Sequence, residues 1–181
     1  MADIFLHTYN NATDSTSALN AAHKYRFAKK KGMDTESYER AWQTGKAKVL
    51  NKLVEGIRNN FDTTVAFAFA IAPSTTKIFV NDIEAEIAKA FPNAINLSNC
   101  FSKINGFDAG KTTVVMTEEQ LRNSIILNNE CFNTLISEEL QTILLIDDVF
   151  ALGNTFKAMR LAIEDLNNTK TIITAAILRT T

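Results

Sequence analysis

Asp147 and Asp148 stand side by side after the apolar run Ile143-Leu144-Leu145-Ile146, and Gly153-Asn154-Thr155 follows five residues later. Paired carboxylates accept hydrogen bonds and suit the neighbouring hydroxyls of a sugar. A glycine turn leading into a helix presents backbone N–H groups and the positive end of the helix dipole, which suits a phosphate. Strand, acids, glycine turn and helix, in that order, build a site for a phosphorylated ribose. The plainer reading of Asp147-Asp148 is a helix cap or a solvated turn. Adjacent carboxylates repel, so without a ligand they stabilise little.

Holding those groups requires a strand that ends at the acids and a helix that starts at the glycine. Ile143 to Ile146 reads as that strand. A helix over about 154–166 turns Phe156, Met159, Ile163 and Leu166 inward. Val65-Ala66-Phe67-Ala68-Phe69-Ala70-Ile71-Ala72 is the clearest further strand. At period two it carries Val65, Phe67, Phe69 and Ile71 on one face and only alanines on the other. Both faces are apolar, so it is expected at the centre of a sheet, with the alanine face open to close helix approach.

A short strand is expected at Asp3–Thr8, and further strands at Ala94–Leu97 and Thr171–Leu178. Helices are expected at about 34–59, with Trp42, Val49, Leu53 and Ile57 near one face, and at 81–91, opened by the capping pair Asn81 and Glu84. Thr117 and Gln120 form a second capping pair, before a helical face marked by Leu121, Ile125, Phe132 and Leu135. Asn10–Ser17 and Ser98–Lys111 read as loops, the second a mobile one, while Thr112–Met116 looks like a strand. The basic run Lys24, Arg26, Lys29, Lys30 and Lys31 reads as a solvated face or mobile loop. Alternation of strands and helices predicts an α/β fold: a three-layer parallel sheet with helices on both faces, in one domain over 1–181.

Bulk properties exclude several classes. A net charge of -1 gives no strong nucleic-acid signal. No apolar run is long enough to cross a bilayer, and the amino terminus is not a secretory signal. Cys100 and Cys131 define neither a disulfide framework nor a metal site, and are expected as reduced thiols. His7 and His23 are too few for a zinc site. A soluble, cytoplasmic protein is expected.

Ile-Leu-Leu-Ile-Asp-Asp also fits the second motif strand of a P-loop nucleotide hydrolase, and Gly106-Phe107-Asp108-Ala109-Gly110-Lys111-Thr112 approaches the first. A P-loop has four residues between its glycines where this chain has three, and it opens a helix, whereas a strand-like segment follows here. Phosphoacceptor domains carry an acid pair after their first strand. Neither alternative explains the Gly-Asn-Thr helix start.

The segment Ile143–Thr155 resembles the ribose-phosphate signature of type I phosphoribosyltransferases: four apolar residues, two acids, two more residues, then a turn ending Thr-Gly-x-Thr. The match includes the apolar run, both acids, Gly153 and Thr155. Gln120-Leu121-Arg122-Asn123 and Phe132 ahead of the signature are similar in order to the competence-associated branch of that family. In layout the resemblance covers about residues 62–178. The core is then 62–181, and about 1–61 form an amino-terminal helical or hood segment that matches nothing specific.

The resemblance implies transfer of 5-phosphoribose from 5-phosphoribosyl 1-diphosphate to a nitrogenous acceptor, through an oxocarbenium-like transition state. Asp147 and Asp148 would be the catalytic carboxylates. The donor site would comprise Asp147, Asp148, Ala151, Leu152, Gly153, Asn154 and Thr155. Ser74, Thr75, Thr76 and Lys77 sit where the family has its pyrophosphate loop, and Asn105–Lys111 where it has a hood. Lys77, Lys103, Lys111 and Arg122 are candidate pyrophosphate partners. Mg2+ would be held through donor phosphates and water, with no direct protein ligand. Ala151 stands where the family usually has Thr or Asp, which argues against the hypoxanthine-guanine branch. Leu152 replaces the usual Thr, removing one hydroxyl from the phosphate cradle at a cost of about 1.5–3 kcal/mol.

Two functions follow. One is an Mg-dependent phosphoribosyltransferase, commonly a homodimer in the family. The other is a catalytically weak protein of the same fold, which senses the donor or a nucleotide and acts through a partner.

Overall fold

The structure, a computed structural model, describes residues 3–8, 18–60, 62–74, 77–104, 116–150, 152–167 and 169–179. The expected loop at Asn10–Ser17, the hood at Asn105–Lys111, the P-loop-like Gly106–Thr112, and Thr75, Thr76, Lys111 and Ala151 lie outside the described residues.

Five strands form one parallel sheet: β1 (Asp3–Thr8), β2 (Phe67–Ile71), β3 (Ile95–Asn96), β6 (Thr142–Phe150) and β7 (Thr171–Arg179), in the order β1-β7-β6-β2-β3. Strands β2, β6 and β7 are buried on both faces, as their unbroken apolar runs require. Val65 falls before β2 rather than on it and is exposed. Two further strands, β4 (Phe101–Lys103) and β5 (Ile125–Leu127), pair antiparallel in a separate small sheet.

One face of the main sheet carries Phe67, Phe69, Ile71, Leu144, Ile146 and Ile173. It is covered by α1 (Ala18–Lys30), α2 (Glu36–Asn60) and α3 (Lys77–Ala90). The amphipathic stripe of α2 buries Trp42, Val49, Leu50, Leu53, Val54 and Ile57, each worth about 1.5–3 kcal/mol when fully buried. Trp42 has no exposed surface, and its indole N–H donates to Asp82 Oδ2 on α3 at 2.6 Å. Lys46 Nζ meets the other oxygen of Asp82 at 2.9 Å, so one carboxylate ties the two helices. Gly45 marks the closest approach of α1 to α2, because a Cβ there would lie 2.5 Å from Ala18 Cβ.

The alanine face of β2 (Ala68, Ala70, Ala72) lies with Ile143, Leu145 and Ala176 in a second core. That core is closed by α6 (Asn154–Glu164) through Phe156, Ala158, Met159 and Ile163. Leu121 of α4 (Glu118–Arg122) and Leu135 of α5 (Phe132–Ile136) join it. An α/β fold with a five-stranded parallel sheet and packed helices therefore forms, as the sequence alternation predicts.

Four local expectations are corrected. Of the two readings of the basic run around Lys24, the loop is excluded: the run lies on α1 and its end, with Lys29 and Lys31 exposed as on a solvated face, while the helix buries Ala21, Tyr25 and Ala28 against the core. Helix α3 starts at Lys77, so Asn81 and Glu84 are interior residues rather than a cap. Leu121, Ile125, Phe132 and Leu135 do not share one helix; α4, β5, a 3-10 turn at Asn129–Cys131 and α5 carry them in succession. The Thr117–Gln120 capping box is present with both of its hydrogen bonds.

The fourth correction concerns the cysteines. Cys100 and Cys131 form a disulfide with Cα atoms 5.8 Å apart, not two reduced thiols. Spacing of 31 residues carries no sign of this pairing, which depends on β4 and β5 lying side by side. Among the described residues no helix is long and apolar enough to cross a membrane.

Candidate functional site

Because every strand of the main sheet is parallel, the carboxyl ends of β1, β2, β6 and β7 share one edge. Asp147 and Asp148 are the sixth and seventh of the nine residues of β6. The strand does not end at the acids but continues through Val149 and Phe150, which pair in register with Leu178 and Arg179. Side chains alternate along β6 as far as Asp147. Asp147 pairs in register with Ala176, which belongs to the core on the α6 side with Ile143 and Leu145. The alternation lapses beyond it: Val149 packs with Leu144 and Ile146, and Phe150 packs on the α6 side.

Both acids are buried: Asp147 is 7% exposed and Asp148 0%. The N–H of Asp148 donates to Asp147 Oδ1 at 2.8 Å, which fixes the first carboxylate against the backbone. Neither is a solvated turn residue, and neither caps α6, whose N-cap is Gly153 without a side-chain cap. Helix α1 touches both β6 and β7, and its Asn20 is buried.

Gly153 has φ 68° and ψ 13°, the left-handed conformation that glycine adopts without a Cβ penalty. A Cβ there would also fall 2.7 Å from Phe150 Cζ. The glycine is thus required twice, by backbone conformation and by the ring beneath it. Lys157 N–H donates to Gly153 O at 2.9 Å, the first bond of α6. The N–H groups of Asn154, Thr155 and Phe156 precede that bond and point out of the helix start. Leu152 is 40% exposed, Thr155 is partly buried, and Asn154 is buried.

Phe150 lies between Phe5, at 4.9 Å between ring centroids, and Phe156, at 5.8 Å. Arg179 places its guanidinium 5.1 Å from the Phe5 ring. Phe5 and Arg179 were not expected near the site. The pairing of β1 with β7 and of β7 with β6 brings them to Phe150, and no local sequence signal encodes it.

The pyrophosphate-loop candidates divide. Ile71 pairs with Ile146, and Ala72 N–H donates to Ile146 O at 2.7 Å, so Pro73 and Ser74 leave the sheet beside Asp147. Lys77 opens α3 beyond them. Lys103 lies on β4, opposite Ile125, in the small sheet whose β5 packs on α6. Arg122 is elsewhere: it forms ion pairs with Asp165, just past the carboxyl end of α6, and with Glu118 on its own helix. Those carboxylates, Asp165 first, hold its guanidinium pKa above the ordinary value. Eleven residues of helix rise, about 16 Å, separate Asp165 from Asn154, so Arg122 is not brought to the acid pair.

A cleft of about 370 Å3 lies at the amino end of β2, lined by Arg58, Thr64, Phe67, Phe91 and Asn93 among others. It is at the opposite edge of the sheet from the acids. Among the described residues no three His, Cys, Asp or Glu side chains form a group able to hold a metal ion. No protein-family model matches the chain, and no curated protein matches it.

Proposed function

We propose that the carboxyl edge of β6 binds 5-phosphoribosyl 1-diphosphate, and that the chain transfers its 5-phosphoribose to a nitrogenous acceptor as a type I phosphoribosyltransferase. The observation that carries this reading is the continuity of one segment. Two buried carboxylates, a left-handed glycine and the open N–H groups of a helix start follow within nine residues, Asp147–Thr155. Central β6 between β2 and β7, with Pro73-Ser74 leaving β2 alongside, supports the family-type arrangement of a pyrophosphate loop beside a ribose-phosphate loop.

In the reaction the C1–O bond to diphosphate breaks and a C1–N bond forms. The electron pair leaves with pyrophosphate, and the acceptor nitrogen loses its proton. The N–H groups of Asn154, Thr155 and Phe156 would hold the 5-phosphate. Asp147 is the carboxylate with accessible surface. It would accept from ribose hydroxyls and stabilise positive charge developing at C1. Magnesium fits these residues as a hard ion carried on donor oxygens and water, beside the carboxylates of this edge. When bound, it would neutralise charge on the diphosphate.

Two observations favour the second reading, a donor or nucleotide sensor with weak turnover. Asp148 has no exposed surface, and Leu152 presents an exposed apolar side chain where a hydroxyl would serve a phosphate. The two readings separate when donor, magnesium and a panel of bases are mixed and pyrophosphate is measured. Base-dependent release supports the enzyme. Saturable binding without release supports the sensor. Absence of donor binding, with Asp147→Asn and Asp148→Asn inert in a thermal shift, eliminates both.

A further inference from the structure

We infer that the side-chain amide of Asn154 reads a sugar hydroxyl of the bound ligand, so that the site selects phosphorylated sugars over other phosphates. The inference rests on the phosphoribose reading and deepens it.

Asn154 is 3% exposed, and neither its Nδ2 nor its Oδ1 has a hydrogen-bond partner among the described residues. Buried amides are nearly always satisfied, so one with both ends open calls for an explanation. Its position supplies one. Asn154 is the first residue of the eleven-residue α6, directly after left-handed Gly153. One turn on, Ala158 is 1% exposed and packs in the core that holds Ala70 and Ala72 of the β2 edge. Residues i and i+4 share a helix face, so the amide looks from the helix start toward the strand ends. Asp147 projects to that same side.

The chemistry of the amide then restricts the ligand. The N–H groups of the helix start satisfy an anion by themselves. A fully ionised phosphate would accept from Nδ2 but give nothing to Oδ1, which needs a donor. A hydroxyl both donates and accepts. The group that completes Asn154 is therefore a hydroxyl held close to the phosphate, as on a pentose 5-phosphate, with Asp147 taking another hydroxyl of the same ring.

The test compares ribose 5-phosphate with inorganic phosphate by calorimetric titration, using the full chain, Asn154→Ala and Asn154→Ser. Asn154→Ala is expected to weaken ribose 5-phosphate by about ten-fold while changing inorganic phosphate by less than about two-fold. Its thermal midpoint should not fall, because no internal hydrogen bond is lost. Asn154→Ser, which keeps a donor and acceptor, should recover part of the affinity and serves as the readout should the alanine variant not fold. Equal losses for both ligands would assign Asn154 to packing of the helix start. An unchanged ribose 5-phosphate affinity would assign the amide to an ordered water. Either result overturns the inference while leaving the phosphoribose site standing. Failure of the unsubstituted chain to bind ribose 5-phosphate overturns both.

Discussion

Replacing Gly153 with alanine tests whether the turn after the acid pair is built as described. Two costs are separable. The backbone at φ 68° is left-handed, which costs a residue with a Cβ about 1–2 kcal/mol. The new methyl would also lie 2.7 Å and 2.8 Å from Phe150 Cζ and Cε2. That ring is held between Phe5 and Phe156 and cannot simply withdraw. Overpacking of this kind costs about 1–3 kcal/mol. Together Gly153→Ala is expected to destabilise by about 2–5 kcal/mol, a large share of the roughly 5–15 kcal/mol that holds a domain folded.

The steric share depends on the ring, so in a Phe150→Leu background Gly153→Ala should cost only the backbone share, about 1–2 kcal/mol. Gly153→Asn, which tolerates the left-handed region, should show chiefly the steric share. Urea unfolding can be followed through Trp42 of α2, the single tryptophan, which is fully buried against Phe79 of α3. A cost below about 0.5 kcal/mol, or an undiminished cost in the Phe150→Leu background, would refute this account of the turn.

Breaking the Cys100–Cys131 bond, which closes a span of 31 residues, is expected to cost about 3–4 kcal/mol; urea midpoints of Cys100→Ser/Cys131→Ser against the oxidised chain measure it. Asp82→Ala removes the acceptor of the buried Trp42 indole and should cost about 1–3 kcal/mol, shrinking when combined with Trp42→Phe; a constant cost in both backgrounds would show that the bond contributes nothing. Arg122→Gln breaks surface ion pairs remote from the acids and should leave donor affinity within about two-fold, so a ten-fold loss by calorimetry would place Arg122 at the site after all.

Central elements were legible because burial on both faces leaves a continuous apolar signature. Phe67–Ile71, Thr142–Phe150 and Thr171–Arg179 carry it, and the stripe of α2 carries the helical equivalent. Helix α1 was hidden because small residues such as Ala21 and Ala28 do its packing, allowed by Gly45 across from it, while lysines and an arginine interrupt its apolar pattern. The segment from Leu121 to Leu135 misled because helical spacing of its apolar residues arises there by accident. Pairing of β5 with β4 overrides local propensity, as a long-range contact can.

Within the site, the acids, Gly153 and the helix start were readable as a local motif. Burial of Asp148, the two extra strand residues, and the Phe5–Phe150–Phe156 stack were not. They follow from β7 extending alongside β6 and β1 alongside β7, a register that no single segment records. Arg122 fails for the same reason in reverse: nothing in its neighbourhood in the chain announces Asp165.

The central claim is that the carboxyl edge of β6 is a site for 5-phosphoribosyl 1-diphosphate. Calorimetric titration of that compound with magnesium into the chain and into Asp147→Asn tests it most directly. The account predicts saturable one-site binding, weakened by about ten-fold or more in the variant, since hydrogen bonds to a charged group are worth about 1.5–3 kcal/mol each. No saturable binding, or equal binding by the variant, would contradict it.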